Sequence, residues 1–82
     1  MDDLAYIKVR FDFEKFSSDL VESLAVLPGI ITMESMYPDD PALSNIYLAV
    51  TSLEYVSGLL DTISSFEPVE FSEVIDKPEI RK

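Results

Sequence analysis

With 82 residues the chain suffices for one domain and not for two, and a hydrophobic fraction of 48% supplies a packed core without the low-hydropathy signature of disorder. Neither cysteine nor histidine occurs, which excludes disulfides, thiolate and imidazole metal sites, and cysteine- or histidine-based catalysis, while two glycines are too few for a phosphate-cradling loop. Sixteen Asp and Glu against six Lys and Arg give a net charge of −10, which repels a phosphate backbone and argues against a direct nucleic-acid partner.

The opening Met1-Asp2-Asp3-Leu4 lacks the basic and apolar regions of a secretion signal, and no apolar run approaches membrane-spanning length, so a soluble, cytoplasmic protein is expected. Ile7, Val9 and Phe11 alternate with their neighbours and predict a strand over 5–11 with one buried face. A helix is predicted over 14–27, carrying Phe16, Leu20, Leu24 and Leu27 on one stripe. Asp12 is one candidate cap for it, and Asp19 with Glu22 three residues later is a competing capping-box signal. Pro28-Gly29 ends this helix and a strand over 30–37 follows, in which Met33 and Met36 read as core or edge filling. Pro38-Asp39-Asp40-Pro41 is a turn. Ile46, Leu48 and Val50 then alternate in a strand over 45–51, Ser52 stands as the cap of a helix over 53–66, Glu67-Pro68 ends that helix, and a last strand covers 69–75. Residues 1–76 are expected to form the domain, and the polar, proline-containing 77–82 a flexible tail.

The two halves repeat each other. An offset of 39 positions, from Ile7 to Ile46, lays Ile46, Leu48 and Val50 on Ile7, Val9 and Phe11, and Leu59, Ile63 and Phe66 on Leu20, Leu24 and Leu27. It also lays Val69, Phe71, Glu73 and Ile75 on Ile30, Thr32, Glu34 and Met36. A β-α-β unit used twice, with right-handed crossovers, predicts an α+β ferredoxin-like split βαββαβ sandwich: an antiparallel sheet of order 4-1-3-2 with both helices on one face. Ile7, Val9, Phe11, Ile46, Leu48 and Val50 are expected to pack against Phe16, Leu20, Leu24, Val56, Leu60 and Ile63.

The other sheet face is then expected to carry Tyr6, Lys8, Arg10, Tyr47, Ala49 and Thr51. One reading is a solvated face, with its cations paired to carboxylates such as Glu34 or Glu70; the other is a contact surface, because Tyr and Arg are enriched where proteins dock. Asp39-Asp40 and Glu70 with Glu73 are poorly spaced for acid/base work or for a cation loop, so no enzyme activity, cofactor or metal is expected. The tail is either a frayed terminus or an extended segment that adds to a partner's sheet edge or enters a cleft.

The stretch 59–82, in which a helix runs into Phe66-Glu67-Pro68-Val69-Glu70-Phe71-Ser72-Glu73 and then a basic-ended tail, resembles the close of subtilisin propeptides and propeptide-like protease inhibitors. Outside this last third the similarity is one of topology. The resemblance implies that the open sheet face packs on a serine protease, while residues 74–82 lie along its substrate cleft. With no protease domain attached, it implies a free-standing inhibitor. The partner-contacting set is then Tyr6, Lys8, Arg10, Tyr47, Val74, Ile75, Pro78 and Ile80.

Two alternatives stay open. The outline, with Leu27-Pro28-Gly29-Ile30, is similar to ACT domains and to the ligand-sensing domain of leucine-responsive regulators, implying small-molecule sensing by an oligomer. Against the ACT resemblance, the turn Asp12-Phe13-Glu14 lacks the glycine that family tends to place near its ligand. The third reading is an acidic decoy that mimics nucleic acid and occupies a nucleic-acid-binding protein. A homo-oligomer is compatible with each, since an edge strand at 30–37 or 69–75 is able to pair between copies.

Overall fold

The computed structural model describes residues 3–76, so the tail predicted at 77–82, with Pro78 and Ile80, lies outside the described residues. In chain order the elements are β1 (Leu4–Phe11), α1 (Ser18–Ala25), β2 (Thr32–Ser35), a short 3₁₀ turn (Pro41–Leu43), β3 (Ile46–Ser52), α2 (Val56–Ser64) and β4 (Val69–Ile75). The strands form one antiparallel sheet in the order β2-β3-β1-β4, which read from the opposite edge is 4-1-3-2, with β1 and β3 paired at its centre.

Both helices cover the same sheet face. Ile7, Val9 and Phe11 of β1 are fully buried there in one cluster with Leu24, Ala49, Leu59, Ile63 and Val69, and Leu20, Val21, Val56 and Leu60 pack around them. Burying such side chains contributes about 1.5–3 kcal/mol each, so this layer is the main source of stability. Phe11, Phe16 and Tyr47 close one end of it as an aromatic trio, with ring centroids 5.5–6.0 Å apart.

The register corrects the predicted face of β3. Ile7 pairs with Ala49, Val9 with Tyr47 and Ala5 with Thr51, so Tyr47, Ala49 and Thr51 face the helices. Ile46, Leu48 and Val50, expected under the helices, pair with Arg10, Lys8 and Tyr6 and lie on the uncovered face. The offset of 39 thus keeps the helices in phase but misses by one residue in the central strands, enough to exchange the faces. Size and hydrogen bonding account for the choice. Ala49, fully buried, leaves room for the helix side chains above it, and Thr51 Oγ1 donates to the Gly29 carbonyl oxygen at 2.6 Å.

The predicted helices, 14–27 and 53–66, overrun by two residues at their ends and by more at their starts. Asp12 accepts from the Glu14 amide (3.0 Å) in a local turn, Phe16 dips toward the core, and Ser17 is extended, so α1 begins only at Ser18. Ser52 does not cap the second helix; it is the last residue of β3, and Tyr55 occupies the position before α2. The strand predicted at 30–37 shortens to four residues. At Gly29 the chain takes φ +96°, the left-handed conformation that glycine adopts without strain. Buried Asn45 ties the start of β3 to β1, its Nδ2 donating to the Phe11 carbonyl at 2.7 Å while its own carbonyl accepts from the Phe11 amide.

Candidate functional site

Strand alternation places Leu4, Tyr6, Lys8 and Arg10 of β1 on the face that the helices leave open, beside Ile46, Leu48 and Val50 of β3. Thr32 and Glu34 flank it from β2, and Phe71, Glu73 and Ile75 from β4. Leu48, between Lys8 and Glu34 in the register, is only 4% exposed although no helix covers it, and Ile46 beside Arg10 is 6% exposed. Long charged side chains shield such residues by laying their methylene stems over them and keeping their charges in water. Leu4 and Phe71 stay open to solvent.

A β-bulge shapes the β4 side of this surface. Arg10 pairs with Phe71 and Phe11 with Val69, leaving Glu70 as the extra residue. The bulge lets Glu70 reach the Arg10 Nε at 3.1 Å, while the guanidinium lies 5.9 Å from the Phe71 ring centre. Both side chains of the ion pair are about half exposed, so it orients Arg10 more than it stabilises the fold. The result is a surface on which Arg10 sits between a carboxylate and an aromatic ring, with an aliphatic floor.

Of the residues predicted to contact a partner, Tyr6, Lys8, Arg10 and Ile75 share this face. Tyr47 does not. It points to the helix side, half-buried against Phe11 and Phe16, because its pairing with Val9 fixes it there. Val74 pairs with Ile7, so it too lies on the helix side of β4, where it is half exposed. Leu4, Ile46, Leu48, Val50 and Phe71 belong to the surface and escaped the sequence reading. The available signal was that both alternating sets of β3 are largely apolar, which permits either phase.

Neither the family models, nor the curated proteins, nor the solved structures compared with this chain give a match. Among the described residues no group of three or more carboxylates is placed to hold a metal ion, and no helix is long and apolar enough to cross a membrane. What the open face offers chemically is apolar area, hydrogen-bonding groups and paired charges.

Proposed function

We propose that this chain is a protein-binding module of the ferredoxin-like type, not an enzyme, and that it docks through the uncovered face of its sheet. The observation that carries the reading is a central strand apolar on both faces. A sheet exposed to water for good needs no Ile46, Leu48 and Val50 on its wet side, and antiparallel sheets with one solvated face ordinarily alternate apolar with polar residues. Exposed Phe71 and Leu4, half-buried Tyr6 and an oriented Arg10 are the side-chain types that anchor interfaces. Affinity capture with the immobilised chain from a lysate of its source organism tests this. Proteins retained by the wild type should be lost with the double variant Tyr6→Glu, Phe71→Glu and kept with Glu22→Lys on α1. Capture indifferent to the face variant removes the proposal.

The finer reading is a propeptide-like protease inhibitor, supported by the resemblance of 59–82 and by an open sheet face of the kind those inhibitors use. A subtilisin-type protease should be inhibited by the full chain and much less by a chain ending at Asp76 or carrying Phe71→Glu. Undiminished inhibition by both variants, or none by the full chain, ends that reading and leaves the capture result standing on its own.

A further inference from the structure

A second surface lies on the opposite side of the molecule, where the end of α1 meets the start of α2. Leu27 and Pro28, with Tyr55 and Leu59, line an open groove of about 370 Å³, and Glu54 stands in its wall. Gly58 is part of the lining. The two glycines of the chain differ in what they need. A Cβ on Gly29 would come within 3.1 Å of the Tyr55 ring, on a backbone at φ +96°, so that site requires glycine. A Cβ on Gly58 would meet nothing within 4 Å, and its backbone is helical. Glycine is a poor helix former, so nothing in the fold calls for it at position 58. It leaves that part of the groove lining without a side chain.

Among the described residues the charge beside the groove has one sign. From Phe16 to Asp76 the sequence contains no Lys or Arg. Glu54 lines the groove and Asp61 follows Gly58 by one turn of α2, both exposed. Lys15 is at the far end of the helices, 3.9 Å from Glu67, and Lys8 and Arg10 are on the other sheet face. Tyr55, in the lining, leaves about half of its surface open, and Val26 and Leu53, which adjoin the lining residues Leu27 and Glu54 in sequence, are more exposed still.

We infer that this groove is a second binding site, independent of the sheet face, for a basic segment that seats an apolar side chain over Gly58 between Leu27 and Leu59. Charge complementarity selects the partner: an apolar groove with Glu54 in its wall, and with no cation beside it among the described residues, favours an aliphatic or aromatic anchor flanked by Lys or Arg. Steering by such a field is long-range and falls with added salt.

The test uses the full chain and two synthetic twelve-residue peptides sharing a central Leu-Phe pair, one flanked by lysines and the other by glutamates, titrated by fluorescence anisotropy at low and high salt. The lysine peptide should bind, more weakly as salt rises, and the glutamate peptide should not. Gly58→Leu fills the groove and should weaken binding at least tenfold, whereas Gly58→Ala should weaken it less and Tyr6→Glu on the sheet face should leave it unchanged. Circular dichroism confirms that each variant is folded. Equal binding by wild type and Gly58→Leu, equal binding of both peptides, no binding up to about 1 mM, or loss of binding in Tyr6→Glu each overturns the inference.

Discussion

Replacing each glycine by alanine should move stability in opposite directions. At Gly58 the new methyl group meets nothing within 4 Å and improves helix propensity, and the unfolded chain loses freedom, together about 0.5–1 kcal/mol of stabilisation. At Gly29 the same methyl group meets Tyr55 Cγ at 3.1 Å and Leu59 Cδ1 at 3.2 Å on a left-handed backbone. Left-handed geometry alone costs an L-residue roughly 1–2 kcal/mol, and displacing the ring adds to it, so a net loss of about 1–3 kcal/mol is expected after the unfolded-state gain. For a domain of this size 1 kcal/mol shifts Tm by about 4–8 °C, which places Gly58→Ala about 2–8 °C above the wild type and Gly29→Ala at least about 4 °C below it. Thermal unfolding followed by far-ultraviolet circular dichroism, with urea titrations to check that the m-value holds, reads both. Shifts of the same sign would refute the account of why glycine stands at each position.

Four further outcomes follow from the packing. Ala49→Leu overfills the layer beneath the helices and should cost about 1–3 kcal/mol in urea unfolding, whereas Val50→Leu on the open face should change stability by less than about 1 kcal/mol; the reverse ranking would mean that β3 is turned the other way. Asn45→Ala leaves the Phe11 carbonyl without its buried donor and should lose about 1–3 kcal/mol, measured as a fall in the urea midpoint. Thr51→Val keeps the shape but removes the bond to Gly29, with an expected loss of about 1–2 kcal/mol that Thr51→Ser largely restores. Arg10→Gln breaks a half-exposed ion pair and should alter Tm by no more than the equivalent of about 1 kcal/mol; a much larger drop would show that the pair supports the fold.

The helices were legible because their apolar stripes repeat at four- and three-residue spacing and because Pro28-Gly29 and Glu67-Pro68 follow them at equivalent points, although the helices end earlier, at Ala25 and Ser64. The fourth strand was legible to the residue, at Val69–Ile75. The face of β3 was not. Hydropathy favours Ile46, Leu48 and Val50 as the buried set, yet the layer under the helices takes the small Ala49, the hydrogen-bonding Thr51 and the ring of Tyr47. Those choices depend on the space left by the helices and on a carbonyl 22 residues away in sequence, which no local pattern records. The delayed start of α1 has a similar origin, since the Asp12 carboxylate is spent on a turn and the Phe16 ring is drawn to Phe11 and Tyr47. For the open sheet face, two basic residues and a tyrosine on β1 were readable from alternation, but the bulge that brings Glu70 and Phe71 to Arg10 is a property of strand pairing alone.

Both margins of the sheet are guarded against polymerisation. Among the described residues β2 offers a neighbouring molecule a ladder of only four residues, Thr32–Ser35, and β4 interrupts its own ladder at Glu70 and carries exposed Glu70 and Glu73. A second β4 laid alongside would bring carboxylates close to carboxylates. Growth of this sheet by addition of further copies at either rim is thus disfavoured by the short ladder on one side and by the bulge and carboxylates on the other.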